Sequence, residues 1–591
     1  MSRAIIVESI PTDLSLREFN QQHNIKNHAY SEDMFVNLLR KAKQNIDLTA
    51  MYWSLIPNNP PEGACVKTGT LECCAVKNGC AATGTDCRGK CEFKQFFSDD
   101  EMKKFNADWG VQIYQALEDA LKRGIKVRVL ESPGFGGSDE ALALQKKYPG
   151  LLQIQIVNMK APPGGTAANS WYGGGIMHQK IWIIDGESKA PSFYLGSANM
   201  DWKSIAQVKE LGIVIEANEN DPMGISLCDD LSNYYEGWWN FSSPKLSGYI
   251  AKNGVVTPYE NTVSGKPGIP PTKIFYDESI AAKRQVPEWS KFIPGNTKPN
   301  LATQGLSPVV PNWNKPLPLT LNGETGLGYI SGAPDEVIVS GRTKDRDSIV
   351  NTIRNADKFV CISVMDFTPT SIYLVSADGK PLDVWWPDFF DAILYAVFQK
   401  RADVKVLVSK WATSPHTEGP FLQKLDEMAA VCKIAETDPN WSGAANFPGK
   451  TPCGTLEVRR FIMPGWDETY QGKAAVDYSV MQPKFPSFSR VNHTKYIVTD
   501  KRANIGTSNW TWGYFFNTAG SSLNLTHPGI ITTLKQIFNR DWEAYGKPNL
   551  PNRDLETYGK PNLPSNTRSP IAIVISAFVF VISLLLLFFV K

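Results

Sequence analysis

The sequence predicts an α/β protein built from two similar lobes, each a mixed sheet flanked by helices, that share one active site. An amphipathic helix followed by an apolar strand occurs twice, at residues 35–55 and 349–369. Each copy leads to a later strand that begins with histidine, at residues 177–185 and 492–500. The chain has 591 residues, which is long enough for such a duplication because single cores stop growing beyond about 250–300 residues.

The spacing within the two copies supports an internal duplication. His178 lies 127 residues after Met51, and His493 lies 128 residues after Met365. Between these landmarks each copy carries one more predicted helix and one more buried strand. The helices are predicted at residues 109–122 and 387–400, and the strands at residues 125–130 and 404–408.

The composition excludes several classes of protein. A hydrophobic content of 42% with 11% aromatics supports a large core and excludes general disorder. The 61 Lys and Arg residues nearly balance the 59 Asp and Glu residues, for a net charge of +2. That balance argues against a protein that coats nucleic acid by bulk positive charge, although a local basic groove is compatible with it. Without a sustained period or a second long apolar run, coiled-coil, collagen-like and multi-span membrane classes are also excluded.

The segments between and after the lobes differ from them in composition. The middle segment is rich in Pro, Gly, Asn and Lys with little periodicity, which predicts a surface linker or, alternatively, a flap over the active cleft. After the second lobe the motif YGKPNLP occurs twice, which predicts a semi-rigid stalk. The predicted domains are a first lobe at 1–242, a linker or cover at 243–332, a second lobe at 333–545, a stalk at 546–570 and a membrane helix at 571–590.

Residues 571–590 are uncharged and apolar, which predicts a C-terminal transmembrane helix. Twenty helical residues span about 30 Å, the thickness of the hydrocarbon core of a bilayer. A glycolipid-attachment signal is the alternative, because small polar residues precede the tail. The N-terminus shows no signal peptide, so a single C-terminal pass is expected to hold the catalytic body at a membrane.

The cysteines indicate an oxidising compartment. Six of the ten lie within residues 65–91, among Gly and Thr, which predicts a small disulfide knot inserted in the first lobe. A zinc site is the alternative, although paired C-x-x-C spacing is missing. Sequons at Asn240, Asn440 and Asn524 fit a glycosylated body. We therefore expect a lumenal or extracellular body, with an endolysosomal location included.

The strongest functional signal is the motif H-x-K-x4-D, which occurs twice. Because positions i and i+2 of a strand face the same side, each His and Lys should project into one space. One copy alone is typical of an exposed polar pair, but two copies at matched positions indicate function. The first copy is His178, Lys180 and Asp185, and the second is His493, Lys495 and Asp500.

A small polar turn follows each motif and adds neutral groups to the candidate site. The candidate residues for phosphate binding or support in these turns are Ser197, Asn199, Ser508 and Asn509. Two imidazoles, two ammonium groups and such donors suit a phosphodiester: one imidazole attacks phosphorus, the other protonates the leaving oxygen, and the lysines hold the charged oxygens. The two aspartates are expected to brace the strand-to-turn geometry.

With these motifs the chain resembles the phospholipase D superfamily, whose signature is the paired H-x-K-x4-D followed by G-S/T-x-N. The resemblance covers nearly all of residues 1–545 and is greatest to phospholipases D three and four, the lysosomal branch of single-strand 5′ exonucleases. It implies a monomeric two-lobed fold, a phosphohistidine intermediate and no metal or other cofactor. Two features of this chain depart from that branch. Members of the branch are anchored by an N-terminal helix, whereas the anchor predicted here is C-terminal, and the Cys-rich insert has no counterpart in the branch. The stretches that carry the resemblance are Val7–Pro11, Met51–Leu55, Tyr194–Trp202, Gln207–Gly212, Val491–Tyr496 and Ile505–Trp510.

Glu210 is a further candidate, because it lies eleven residues after Asn199. The superfamily often has there a carboxylate that hydrogen-bonds the nucleophilic imidazole, as in other His–carboxylate pairs. The corresponding residue of the second copy is Gly520. This difference predicts His178 as the nucleophile and His493 as the general acid. The alternative for Glu210 is an exposed charge at a strand edge.

The substrate is less constrained by the sequence than the reaction. A membrane anchor favours phospholipid, with phosphatidylcholine cleaved to phosphatidic acid and its head group. The closer resemblance favours the 5′ end of single-stranded nucleic acid, which a nearly neutral protein can accept one strand at a time. A third hypothesis, from another class, is an inactive binding protein that keeps the fold.

Overall fold

The computed structural model describes most of both repeats. The described residues are 1–57, 65–67, 91–93, 97–132, 139–157, 176–241, 243–244, 316–334, 342–372, 384–428, 430, 453–468, 484–486, 488–516 and 518–549. Residues Met1–Asn549 form one compact unit. The predicted membrane helix at 571–590 lies outside the described residues. Within the described part of the chain, no helix has both the length and the apolar character that crossing a bilayer requires.

The first half alternates helices and strands in the predicted order. Its described helices are α1 (Leu16–Gln22), α2 (Ser31–Lys41), α3 (Asp99–Lys104), α4 (Asp108–Lys122), α5 (Asp139–Lys147), α6 (Trp202–Ala206) and α7 (Pro222–Phe241). Its described strands are β1 (Arg3–Ser9), β2 (His28–Tyr30), β3 (Asn45–Ala50), β4 (Trp53–Ser54), β5 (Cys65–Lys67), β6 (Cys91–Phe93), β7 (Lys126–Glu131), β8 (Leu152–Ile156), β9 (Ile181–Ile184), β10 (Ser192–Gly196), β11 (Met200–Asp201), β12 (Glu210–Glu216) and β13 (Ser243–Pro244).

The second half repeats this succession. Its described helices are α8 (Asp345–Arg354), α9 (Asp388–Phe398), α10 (Glu418–Met428), α11 (Trp512–Phe516) and α12 (Pro528–Tyr545), with one 3-10 turn at Trp466–Glu468. Its described strands are β14 (Leu317–Leu321), β15 (Glu324–Ala333), β16 (Phe359–Val364), β17 (Asp403–Lys410), β18 (Leu456–Ile462), β19 (Lys495–Thr499), β20 (Ala503–Gly506), β21 (Gly520–Leu525) and β22 (Gly546–Pro548).

The two halves form two mixed nine-stranded sheets with the same strand order. The first sheet runs β13-β8-β7-β3-β9-β10-β12-β1-β2, and the second, read from its far edge, runs β22-β18-β17-β16-β19-β20-β21-β15-β14. In both sheets, three neighbouring strands are parallel to one another, and the strands that flank this group are antiparallel to it. They differ at one edge, where β2 is parallel to β1 but β14 is antiparallel to β15. The structure is thus an α/β fold with mixed sheets, as the repeat predicted.

Strand alternation explains where the cores lie. Along β9, Ile181 and Ile183 enter a core that also contains Tyr496 and Val498 of β19. The intervening Trp182 belongs to a separate core with α2 and α4. Successive side chains of a strand point to opposite faces, so each sheet packs one face on its own helices and the other in the shared core. That shared core also takes in α7 and α12.

Two parts of the predicted linker and stalk belong to the second sheet. Residues 317–333, which the sequence analysis assigned mostly to the linker, form the hairpin β14–β15. The first three residues of the predicted stalk form β22, which pairs antiparallel with β18. This hairpin is easily missed in a Pro- and Gly-rich context, because polar and apolar residues alternate only over the five positions of β14. The rest of the linker lies outside the described residues.

The sequons and the Cys-rich insert are only partly described. Asn524 is buried, and its amide exchanges hydrogen bonds with the side chains of Ser331, Ser348 and Asn504, so the expectation of a glycan at this sequon is wrong. Asn240 is described only in its backbone, and Asn440 lies outside the described residues. Of the insert, only the antiparallel pair β5–β6 is described, so the predicted disulfide knot lies outside the described side chains.

Asp185 and Asp500 bind backbone N–H groups at the loops that lead into β3 and β16. The carboxylate of Asp185 accepts hydrogen bonds from the backbone N–H groups of residues 43, 44 and 45, at 2.6–3.2 Å. That of Asp500 accepts from residues 357, 358 and 359, at 3.1–3.4 Å. These contacts have the bracing geometry expected of the two aspartates, whereas their grouping with the catalytic residues by motif stays a prediction.

Replacing Asp185 by Ala should destabilise the protein by about 1.5–3 kcal/mol, because three backbone N–H groups lose hydrogen bonds to a charged acceptor. The φ of Asp185 is 52°, which alanine also tolerates poorly. Asp185→Asn is the matched control, since asparagine keeps an acceptor oxygen and is tolerated at this φ. Urea unfolding should rank wild type first, Asn second and Ala last. An Asp185→Ala variant of unchanged stability that has lost activity would contradict the bracing role.

Candidate active site

The two halves pair their backbones at the two candidate histidines. The N–H of His178 donates to the carbonyl of Ala519 at 3.0 Å, and the N–H of His493 donates to the carbonyl of Lys209 at 2.8 Å. The N–H groups of Ala519 and Lys209 donate in return, to the carbonyls of Ile176 at 2.9 Å and Val491 at 3.0 Å. Each histidine is thereby held by a residue that precedes a strand, β21 or β12, of the opposite half.

This pairing brings the two imidazoles together in a buried space. The ring centroids of His178 and His493 lie 6.4 Å apart with planes inclined at 69°, and the side chains are 3% and 8% exposed. Reacting atoms approach to about 3–3.5 Å before bond formation, so one phosphorus atom fits between the rings. The expectation that each H-x-K lies on a strand needs correction, because β9 begins only at Ile181 and β19 only at Lys495.

Both motif lysines curl back onto the backbone of their own histidine. Lys180 donates through Nζ to the carbonyl of His178 at 2.7 Å, and Lys495 donates to the carbonyl of His493 at 2.5 Å. Both side chains are buried. Burial, together with the neighbouring Lys495, holds the pKa of Lys180 well below its ordinary value. Burial lowers the pKa of Lys495 to about 7, against the opposing effect of Glu210 and Asp366.

The histidines are also less basic than usual, and the neighbouring groups that act on their pKa values differ between the two rings. Burial, and then the charges of Lys180 and Lys495, hold the pKa of His178 well below its ordinary value. Burial lowers the pKa of His493 to about 4, although the carboxylate of Glu210 acts in the opposite direction. Both imidazoles are therefore neutral near pH 7. An anionic phosphate between them would supply the negative charge that this group of bases lacks.

Glu210 contacts the opposite histidine from the one predicted. Both of its carboxylate oxygens hydrogen-bond Nδ1 of His493, at 2.8 and 3.0 Å, so the expected partnership with His178 is wrong. The reason is the backbone pairing: Glu210 directly follows Lys209, the residue that accepts the His493 N–H. Glu210 is 1% exposed, which also excludes an exposed strand-edge charge. Its other partner is the hydroxyl of Ser204, at 2.5 Å.

The same position beside His178 holds no side chain. Gly520 directly follows Ala519, which accepts the His178 N–H. A Cβ on Gly520 would meet the hydroxyl oxygen of Ser508 at 2.3 Å, so this hydroxyl occupies the space that a side chain would need. Among the described residues, Nδ1 of His178 has no hydrogen-bond partner. The two histidines therefore differ by one carboxylate.

The predicted hydroxyl groups of the polar turns are mostly structural. Ser197 Oγ donates to the carbonyl of Leu211 at 3.1 Å and accepts from its N–H at 2.9 Å. In the second half the hydroxyl that accepts from the backbone of β21 belongs to Thr507, with the N–H of Ser521 at 3.1 Å. Ser197 and Thr507 are thus the matched pair, and Thr507 was not among the candidates named from the sequence. Both matched hydroxyls tie the turn to the next strand.

The two asparagines lie beside the histidines in different surroundings. Asn509 Nδ2 donates to Asp366 at 3.0 Å and to the Tyr514 hydroxyl at 3.2 Å, and the Tyr514 ring packs edge-on against His178 at 4.9 Å. The backbone N–H of Asn199 donates to the Ser204 hydroxyl that contacts Glu210, at 2.9 Å. Both asparagine side chains are buried.

Three residues of this site were not singled out from the sequence. Asp366, Tyr514 and Ser204 contact the candidate asparagines, and burial raises the pKa of Asp366 to about 6. The available signal was position alone: Asp366 follows the landmark Met365, and Tyr514 follows Asn509 by five residues. Among the residues that the structure describes, no three His, Cys, Asp or Glu side chains form a metal-binding cluster.

Family models match both halves of the chain. One described as "PLD3/4, PLD-like domain" matches residues 283–437, and one described as "Cardiolipin synthase, PLD-like domain" matches residues 102–239. The virion nicking-joining enzyme of vaccinia virus (strain Copenhagen) is 30% identical over 440 residues, which are 74% of this chain and 76% of the viral protein.

Two cellular relatives match a larger share of the chain. The 5'-3' exonuclease PLD3 of Xenopus laevis is 27% identical over 551 residues, 92% of this chain and 80% of that protein. A probable phospholipase D of Caenorhabditis elegans is 25% identical over 542 residues, 92% of this chain and 70% of that protein. With two family models, these relatives and a paired motif at one buried site, the chain belongs to the phospholipase D superfamily, in the PLD3/4 branch, whose members hydrolyse phosphodiester bonds.

Proposed function

We propose that this phosphodiesterase cleaves its substrate in two steps through a phosphohistidine on His178, with His493 as the acid and then the base. The observation that carries the proposal is the convergence of both imidazoles, 6.4 Å apart, in a space that also buries Lys180 and Lys495. Each ring can reach one side of a phosphorus atom held between them. In-line displacement needs this arrangement, because the attacking and leaving atoms lie on opposite sides.

The difference in charge around the rings supports this division of roles. A nucleophilic imidazole must be neutral, and burial with two nearby lysines favours the neutral form of His178. A general acid must hold a proton, and Glu210 favours the protonated form of His493 through its contacts with Nδ1. The roles are those predicted from the sequence, but the reason is reversed: the carboxylate serves the acid.

Both steps balance with these two side chains and water. In the first, His178 Nε2 forms a bond to phosphorus, the bond from phosphorus to the leaving oxygen breaks, and His493 gives that oxygen its proton. In the second, His493 takes a proton from water, the water oxygen bonds phosphorus and the phosphorus–nitrogen bond breaks, which restores both rings. The lysines lie where they can offset charge on the remaining phosphate oxygens.

For the substrate we propose the end of a single nucleic-acid strand. The relatives that match over most of the chain include proteins named 5'-3' exonuclease and nicking-joining enzyme. The depth of the site agrees with an end, because histidines that are 3% and 8% exposed are out of reach of a duplex backbone. Phospholipid, which the sequence analysis placed first, remains a second candidate because another relative is named a probable phospholipase D.

We also propose that the catalytic body lies in a lumen or outside the cell. Cys453 takes part in a disulfide bond, and such bonds persist in oxidising compartments. A single C-terminal pass through residues 571–590 would be consistent with that location.

The substrate assay should show release of nucleotides from a 5′-hydroxyl oligonucleotide and none of choline from phosphatidylcholine. The measurement uses the purified chain with each substrate in parallel. His178→Ala and His493→Ala should each lower the rate by a factor of at least about 100, because they remove the nucleophile or the acid. Choline release that both substitutions abolish would favour the lipid instead. Full activity in either variant would contradict the proposed mechanism.

Trapping should find the phosphoryl group on His178. A phosphorus-labelled substrate, quenched early and digested, should leave label on the peptide that contains His178 and none on the peptide with His493. His493→Ala is the useful variant when the substrate has a good leaving group, which departs without an acid. Loss of His493 then slows hydrolysis of the intermediate more than it slows its formation. Label on the peptide with His493 would reverse the two roles.

The rate should fall as pH rises, because the general acid must be protonated. The pKa of His493 is about 4, and a phosphate anion beside the ring should raise it. The descending limb of kcat should therefore lie at higher pH than that of kcat/KM. Glu210→Gln should move both limbs to lower pH, since Glu210 favours the protonated ring. Glu216→Gln, at the other end of β12, is the control and should leave the limbs in place.

A further inference from the structure

Four charged side chains form a buried cluster that includes Lys209, the residue whose carbonyl accepts the His493 N–H. Lys209 lies 2.8 Å from Glu8 and 3.0 Å from Asp541. Arg540 contacts the same two carboxylates, at 2.7 and 2.6 Å. All four side chains are at most 2% exposed. We call Glu8, Lys209, Arg540 and Asp541 the ion cluster.

The charges within the ion cluster balance. Two cations face two carboxylates, and burial, which on its own would raise the pKa of Glu8, is outweighed by Arg540 and Lys209, so that this pKa lies well below its ordinary value. His28 adds a contact to Glu8 at 2.8 Å. Buried ions are costly to desolvate, and many could be replaced by apolar side chains without loss of stability. The presence of four ions therefore asks for an explanation other than stability.

The ion cluster is attached directly to the general acid. Lys209 accepts the backbone N–H of His493 through its carbonyl, at 2.8 Å, and its own N–H donates to the carbonyl of Val491 at 3.0 Å. The next residue, Glu210, bonds the His493 ring. One short stretch thus holds both the backbone and the ring of His493. The Lys209 side chain anchors that stretch to β1 through Glu8 and to α12 through Asp541.

The opposite half also joins its terminal helix to the neighbouring strands. Its helix α7 corresponds to α12, and there Tyr234 donates to the carbonyls of Ala333 and Gly520, at 3.1 and 2.9 Å. Asp230 of α7 also forms a buried ion pair with Arg342, at 2.6 Å. The ion cluster differs from these contacts because its Lys209 directly precedes Glu210, the carboxylate that contacts an imidazole.

We propose that the ion cluster positions the general acid, by fixing residues 209 and 210 so that Glu210 stays on Nδ1 of His493. The inference rests on the proposed function, because it assigns the cluster a role in proton transfer. Glu8, Lys209, Arg540 and Asp541 are then positioning residues that act through Glu210.

The test is the double variant Glu8→Gln/Lys209→Met, which removes one charge of each sign and leaves Arg540 paired with Asp541. We expect kcat to fall by about 100-fold with KM within about twofold, since a displacement of about 1 Å at a reacting group costs that much. The descending limb of the pH profile should move to lower pH, because His493 would lose the support of Glu210. The charged and titratable groups that face His493 are Glu210, Lys495, Lys180 and His178.

Arg128→Met/Asp47→Asn is the matched control, because it removes an ion pair with contacts of 2.6 and 2.8 Å between the paired strands β3 and β7. It should cost stability without moving the pH limb. If the cluster variant has a wild-type kcat and limb, or if its limb moves only as much as the control's, the inference is wrong. Glu8→Gln alone provides a second reading should the double variant fail to fold, and it should give a smaller shift in the same direction.

The outcome for His493→Ala distinguishes the two levels of the argument. If His493→Ala is inactive while the cluster variant is unaffected, the proposed function stands and the positioning role fails. If His493→Ala is fully active, the proposed function fails and takes the positioning role with it.

Discussion

The site depends on one constraint, the backbone pairing of each half with the histidine segment of the other. Four hydrogen bonds of 2.8–3.0 Å form this pairing. His178 donates to Ala519 and His493 donates to Lys209, and the two accepting residues donate in return to Ile176 and Val491. Without this pairing the two imidazoles would belong to separate sheets with no fixed relation between them. With this pairing, the residue that follows each hydrogen-bond acceptor lies beside the histidine ring of the other half. Duplication of one half would therefore produce a complete site only when two copies meet, which explains why neither sheet contains a site by itself.

The duplication is symmetric in backbone and asymmetric in chemistry. Strand order and the histidine pairing repeat, and so do the two lysine contacts to the histidine carbonyls. What differs is the side chain beside each ring, Glu210 in one case and no side chain at Gly520 in the other. A symmetric pair of imidazoles would compete for the same proton, whereas two-step transfer needs one neutral ring and one protonated ring. The loss of symmetry at a single position therefore assigns different tasks to equivalent residues.

Much of the fold was predictable because it depends on local pattern. Helix α4 buries Ile113, Ala116, Leu117 and Ala120 on one face, the helical periodicity that the sequence displays. The partner of Glu210 was not predictable, since spacing along the chain cannot say which of two equivalent histidines an adjacent strand will face. The hairpin β14–β15 was missed because polar and apolar residues alternate only over the five residues of β14. The ion cluster was missed because its members are separated by up to 533 residues in sequence. Long-range contacts between unlike segments leave no periodic signal.

The lowered pKa values of the imidazoles and ammonium groups in the site indicate that the substrate must supply negative charge. Two imidazoles and two ammonium groups are buried together, and burial depresses the basicity of all four. Glu210 and Asp366 are the nearby carboxylates that act on these groups. An anionic phosphodiester restores protons to this set on binding, so the charge that attracts the substrate and the proton that cleaves it arise together. A neutral substrate would bring neither, which is the physical reason that this arrangement selects a phosphate before any other group of the substrate is recognised.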